Sequence, residues 1–426
     1  MSITKHIPGI GRTFVVGFMV ILISNVCVYA TETRKNSLLA DDNILKDETN
    51  PYVYPSTILD FPNRIVAEYV GGTGYAYAYF AIGPGVLGFS LNRYHADING
   101  LRKFIRDYSG IFSNNGLGRS PYANPKLELL YGMKVGEMTA ALRVSRASNG
   151  EKEETDQTTT KSSSSVTNFD VGLSMLVGTN MSLDCTAGLT FFSFRSSLKN
   201  ADGTGKELKN KGGTRFDLRG RLYYKLNERV TLIPNIWMGI GGFPSVEVTT
   251  KTRVAGALLT ETEDWGDRSA FDLALGIGAN ITPSEKVLGL LGAYFIRKSR
   301  KIRVDEEDVK TDSIEATYTF PKLIAGVEVK PKDWLVARFG VGYEIGWSSS
   351  KVEKKIRVAD RWGTSTAKSS QPSQTSYTLR MGLGFRFGGF RIDTELNREL
   401  VFRQGPNVLS GQTGDLLISA SMTYGF

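Results

Sequence analysis

Two cysteines and two histidines leave little room for metal or nucleophile chemistry in this chain. If residues 1–30 are removed during export, only Cys185 and His95 remain. No internal disulfide can then form, and a multi-histidine zinc site or catalytic centre lacks its ligands. Long apolar runs are missing too. Beyond residue 30 no window reaches the roughly 18–20 consecutive apolar residues that a spanning helix needs, so helical spans are excluded there. Charge of one sign is not in large excess either: the net charge of +9 at pH 7 is modest for this length and does not point to nucleic acid.

The amino-terminal end carries a secretory pattern. Lys5 and Arg12 precede an apolar run from Thr13 to Val28 and a small-residue exit at Ala30. That run is about sixteen residues, short of the roughly 20 of a membrane span, so cleavage after Ala30 is expected. Cys27 does not fit lipid attachment, because Val26 stands where a small residue is required.

Strict apolar alternation dominates the rest. Phe271, Leu273, Leu275, Ile277, Ala279 and Ile281 share one face, against Asp272, Ala274, Gly276, Gly278 and Asn280 on the other. The pattern recurs in 214–226 and 377–388. Soluble sandwiches also alternate, but these segments run to about 10–15 residues, against a usual mode near 5–6. Their polar faces are rich in glycine and charge. Short connections at 135–137, 178–180, 227–229, 282–286, 330–333 and 388–389 alternate with long polar ones, the spacing of tight turns at one rim and extended loops at the other. The expected fold is all-β: a transmembrane antiparallel up-and-down β-barrel of about sixteen strands, with fourteen as the alternative. The expected organisation is a signal peptide at 1–30, a periplasmic or lumenal segment at 31–63 and the barrel at 64–426. Apolar parity shifts at Pro321-Lys322, where a β-bulge is expected.

The last strand alternates through Leu416, Ile418, Ala420, Met422 and Tyr424 to a terminal Phe426. This resembles the terminal signature of Gram-negative outer-membrane proteins. The resemblance implies an outer-membrane location and makes Tyr424 and Phe426 the signal read by the barrel-assembly machinery. Ala40-Asp41-Asp42 with Asn50-Pro51 resembles the amino-terminal region of the long-chain fatty-acid transporter family, whose usual Asn-Pro-Ala is Asn50-Pro51-Tyr52 here. That resemblance implies a hydrophobic substrate.

Parity sends Arg143, Arg215, Arg219, Arg221, Lys225, Arg338, Arg380, Arg386, Arg391, Asp393 and Glu395 into the lumen as candidate pore-lining residues. Such a density of charge either lies in water or is knit into a salt-bridged plug. The expected function is a porin-like channel for passive diffusion of small polar solutes. A mild anion preference would come from Arg215, Arg219, Arg221 and Lys225, and from Arg386 facing Arg391. A non-conducting structural or surface-binding barrel and a hydrophobic-substrate transporter are the alternatives. If Leu226 meets Val230 across their turn, Arg221 faces Asn235 and Arg219 faces Trp237. Lumen-facing Gly276 and Gly384 are expected to accept a side chain better than lipid-facing Leu275 and Leu383.

Other candidates are weaker. The 93–124 loop could narrow the pore or merely cover it. His95 and Asp97 resemble the catalytic pairing of the omptin proteases but lack a second aspartate pair, so no enzyme is expected, and neither catalytic residues nor a cofactor nor a metal is assigned. Asp305 to Asp308 could hold Ca²⁺ but read better as a solvated charge run. The Ser/Thr-rich stretch 155–165 reads as an exposed loop tip. Expected partners are outer-membrane lipid and lipopolysaccharide; whether the chain forms a homo-oligomer is open.

Overall fold

The computed structural model describes residues 31–426 except 71–72, 93–125, 211, 244–245, 265, 306–308, 359–360 and 397–416. Residues 1–30, expected to be a signal peptide, the 93–124 loop with His95 and Asp97, Glu306 to Asp308 and Leu416 lie outside the described residues.

Among the described residues, nineteen strands form one antiparallel sheet that closes on itself. In chain order they are β1 (Arg64–Val70), β2 (Thr73–Ile82), β3 (Gly85–Leu91), β4 (Lys126–Val135), β5 (Met138–Glu154), β6 (Thr158–Leu176) and β7 (Met181–Asn200). Next come β8 (Gly205–Asn210), β9 (Gly213–Lys225), β10 (Val230–Phe243), β11 (Val246–Val254), β12 (Ala257–Asp264) and β13 (Asp267–Ser284). The last are β14 (Val287–Asp305), β15 (Val309–Lys332), β16 (Leu335–Val358), β17 (Arg361–Phe387), β18 (Phe390–Leu396) and β19 (Leu417–Gly425). Strands β7 and β9 pair directly, as do β10 and β13, so β8, β11 and β12 stand above the wall rather than in it. Sixteen strands therefore make the barrel. Pairing of β1 with β19 closes it, from Arg64 opposite Gly425 to Val70 opposite Ser419. Closure removes every edge, which a sheet in lipid cannot leave open.

Exposure follows the parity read from the sequence. On β7, Leu189 and Phe191 are exposed while Gly188, Thr190 and Phe192 are buried. On β13, Leu275 and Ile277 are exposed and Asp272 and Gly278 are buried. The outward rows form the apolar band of a lipid-spanning barrel of the outer-membrane type. A bulge stands at Phe320-Pro321, two residues of β15 opposite the single Phe295 on β14, which keeps the apolar residues outward on both sides of it.

Two features differ from the sequence reading. Strands β15, β16 and β17 run 24, 24 and 27 residues, far more than the roughly 9–11 needed to cross lipid. The upper parts are mostly polar, with only scattered apolar residues such as Val352 and Ile356, so alternation could not reveal them. For the same reason the stretch 155–165 is not a loop tip: from Thr158 it belongs to β6, paired with β5 and β7. Residues 31–63, for which a periplasmic and a lumenal placement were both open, lie within the barrel. They form helix α1 (Glu32–Leu38) and two 3₁₀ turns, Asn50–Tyr52 and Pro55–Asp60.

Candidate functional site

The segment 31–63 occupies the half of the lumen nearest the short turns, and its seat is built from both apolar and charged parts. Tyr52, Ile58 and Phe61 pack with Val66, Tyr75, Tyr77, Tyr79, Val86 and Leu130 of β1–β4. On the opposite wall Leu38, Ile44 and Leu45 pack with Ile233, Leu290, Tyr294 and Ile324. Close approach is possible because the facing wall lacks side chains. A Cβ on Gly326 would lie 2.6 Å from the Leu38 carbonyl oxygen, and one on Gly340 would lie 2.5 Å from its carbonyl carbon. These inward glycines make room for a backbone rather than for water.

Two ion-pair networks pin the segment. Arg34 of α1 meets Glu328 with Nε to Oε2 at 2.6 Å and donates from Nη2 to Oε1 at 3.1 Å. Glu328 also accepts from Arg338 Nε at 2.8 Å; Arg338 Nη1 lies 2.7 Å from Asp393 Oδ1, and Arg391 Nε lies 2.6 Å from Asp393 Oδ2. Bidentate geometry and shared carboxylates make such buried pairs favourable where isolated ones would not be. In the second network, Arg221 donates from Nε to Asp184 at 2.9 Å, from Nη2 to Asn50 Oδ1 at 3.0 Å and from Nη1 to the Asp42 carbonyl oxygen. Its guanidinium lies 4.0 Å from the centre of the Tyr54 ring. Arg143 is held by Asp170 and donates to the Tyr52 carbonyl oxygen. The Asp42 and Asn50-Pro51-Tyr52 positions singled out in the sequence are therefore the ones that engage Arg221 and Arg143.

The remaining sites fall above or below this plug. Arg215 reaches Asp217 at 2.8 Å and Asp272 at 2.9 Å, and Arg300 joins Asp272 at 2.7 Å. Arg219 sits over the Trp237 ring, 5.5 Å from its centre. Arg380 pairs with Glu395, which also accepts from Ser419 at 3.0 Å. Lys225 is exposed beside a short turn. Arg386 lies directly opposite Arg391, and Arg221 and Arg219 face Asn235 and Trp237, as the turn lengths imply. The carboxylates that offset the basic cluster come from several strands: Asp184 of β7 faces Arg221, while Arg215 is met by Asp217 of its own strand and by Asp272 of β13. This pairing offsets Arg221 and Arg215 of that cluster and leaves Arg386 opposite Arg391.

The glycine expectation needs the same correction. A Cβ on Gly276 would lie 2.4 Å from the Tyr294 ring, and one on Gly384 would lie 2.8 Å from Arg338 and Asp393. Both positions are filled space.

At the closing seam, Phe426 donates its backbone N–H to the Asn63 carbonyl at 3.2 Å, and its ring lies 5.9 Å from Phe80 and 6.3 Å from Tyr424. Among the described residues no group of three or more His, Cys, Asp or Glu side chains is arranged to hold a metal ion.

Residues 31–63 supply functional contacts that strand parity could not assign. Their signal in the sequence was Asp, Asn and Pro clustered ahead of the first strand.

No protein-family model matches this chain, and no curated protein sequence matches it. Solved structures of similar shape include the toluene transporter TodX of Pseudomonas putida, 10% identical, covering 93% of this chain and 96% of its own, with a TM-score of 0.41. The toluene transporter TbuX of Ralstonia pickettii is 8% identical, covering 93% and 98%, with a TM-score of 0.36. The siderophore receptor PiuA of Acinetobacter baumannii is 8% identical, covering 78% and 71%, with a TM-score of 0.35. The barrel assignment rests on the strand pairing within this chain.

Proposed function

We propose that this chain is a Gram-negative outer-membrane transporter for small hydrophobic molecules, closed by its own amino-terminal segment, and not an open porin. The short turns then lie in the periplasm and the tall strand extensions outside the cell. The observation that carries the reading is the plug. The arginines and carboxylates that would give an open pore its polar lining are spent on each other and on residues 31–63. If the segment shifts, much of the surface it uncovers is aromatic and aliphatic, including Tyr77, Tyr79, Val86 and Leu130 on one side and Ile233, Leu290 and Ile324 on the other. A path of that character suits an apolar solute better than a hydrated one. The resemblance of Asp41-Asp42 and Asn50-Pro51 to the fatty-acid transporter segment supports the same class. No catalytic role and no cofactor enter this reading.

Two measurements test it together. In planar bilayers the wild-type protein should show no stable open steps, while deletion of residues 31–63 should produce them. Cells carrying the wild-type protein should take up a small aromatic hydrocarbon such as toluene faster than cells without it, with no gain in uptake of a sugar of similar size. Stable wild-type conductance together with faster sugar uptake would overturn the proposal in favour of a porin.

A further inference from the structure

The outward face of β5, β6 and β7 changes character along its length. Nearest the lipid it is apolar: Leu142, Val171 and Phe169 with Leu189 and Phe191 are exposed, and Phe169 and Phe191 meet edge to face at 6.4 Å. The next rows carry hydroxyls, with Ser148 paired to Ser165 and Ser165 to Ser193. There β7 exchanges its partner β9 for β8, and the gap leaves a cavity of about 510 Å³ lined by Thr167, Phe191, Ser193 and Thr214 among others. Directly above lies a cleft of about 740 Å³, with six basic and three acidic side chains on its walls.

The pairing shows how those charges are disposed. Lys152 is held by Glu154, and Arg195 by Glu207 at 2.9 Å. Of the other four, Lys206 has a partner of its own, and Lys161, Lys199 and Lys251 are exposed with no salt bridge among the described residues, although Lys161 also attracts the Glu154 carboxylate. Those three lysines are neighbours. Lys161 pairs with Ser197, placing Lys199 on its diagonal, within about 7–8 Å. Lys199 and Lys251 are both paired to Gly205, on either side of it, so two cations flank a position with no side chain at about two strand spacings, roughly 9–10 Å. Glu154, already paired with Lys152, offsets Lys161 only in part, and like charges so placed repel unless a further anion lies between them.

We infer that this face binds the phosphorylated headgroup of an outer-leaflet glycolipid, with phosphate among Lys161, Lys199 and Lys251, sugar hydroxyls against the serine rows and acyl chains along the aromatic band below. The inference rests on the barrel being an outer-membrane protein whose tall rim faces outward, and is independent of what it transports. Continuity decides the occupant: a free phosphate would use the lysines alone, whereas an amphiphile also uses the hydroxyl and apolar rows beneath them.

The test titrates full-length protein, in nanodiscs of zwitterionic phospholipid, with purified bis-phosphorylated lipid A. Wild type should bind it with a strength that falls as salt rises. The Lys161→Gln, Lys199→Gln, Lys251→Gln triple variant should bind at least tenfold more weakly, and the corresponding triple arginine variant should bind as wild type does. A Lys351→Gln, Lys354→Gln, Lys368→Gln variant, with the same charge change on β16 and β17, should bind normally. Equal loss in that control, undiminished binding by the first variant, equal affinity for dephosphorylated lipid A, or full competition by inorganic phosphate would each overturn the inference. Heat-modifiable gel mobility confirms that every variant is folded.

Discussion

The two ends of β16 carry the same kinds of residue in opposite circumstances. At the turn end Arg338 is fully buried, bridging Glu328 at 2.8 Å and Asp393 at 2.7 Å. At the far end Lys351 and Lys355 flank Glu353 at 3.0 and 3.5 Å, with both lysines half exposed. Distance alone would rank these pairs close together. Solvent separates them: exposed pairs are screened and contribute little, whereas removing one partner of a buried pair strands the other charge. The lower lumen is thus locked by its ion pairs, while the upper wall is only decorated by them.

The sharpest way to break that contrast is to remove one carboxylate from each end. Glu328→Ala leaves Arg34 and Arg338 without their shared acceptor and should cost about 3–5 kcal/mol, read as a lower unfolding midpoint in denaturant. Glu353→Ala should leave the midpoint unchanged. Equal shifts would mean that burial does not govern these pairs.

A smaller effect is expected on the lipid side of the same sector. Leu383→Arg on β17, or Leu275→Arg on β13, places a charge in the apolar band and should destabilise by about 2–4 kcal/mol in reconstituted protein. Gly326→Leu and Gly340→Leu should act differently. The added side chain collides with α1, so the barrel should stay folded while residues 31–63 become sensitive to protease and ion conductance appears.

The gentlest perturbation is pH. Burial pushes the Asp47 carboxyl up to about 6 from an ordinary 3.8, against the lowering influence of Lys35, and burial also raises Glu48. A raised carboxyl favours the seated plug most fully below its unfolded value, and that contribution is lost as pH rises through the seated value. Seating should therefore be tightest at about pH 4 and below, and loosen progressively as pH rises to about 6. Protease protection of residues 31–63, followed from pH 4 to 7, checks this, and Asp47→Asn should flatten the profile.

The barrel was legible in the sequence because lipid imposes a two-residue period that no other solvent enforces so strictly. Leu275 and Ile277 were assigned outward on that period alone, and the short turns set the register that brings Arg386 opposite Arg391. The bulge at Pro321 was equally readable, as a parity change. Beyond the lipid the period fades because both faces are wet, so the Ser/Thr stretch in β6 passed for loop.

Charge pairing in the lumen was decided only by closure of the barrel. Each strand has two neighbours, and hairpin register reveals one; Asp184 reaches Arg221 from the other. Where residues 31–63 would rest was also a tertiary matter. That segment has no period to read, and its place is set by a wall of glycines and buried arginines that comes together only once sixteen strands have closed around it.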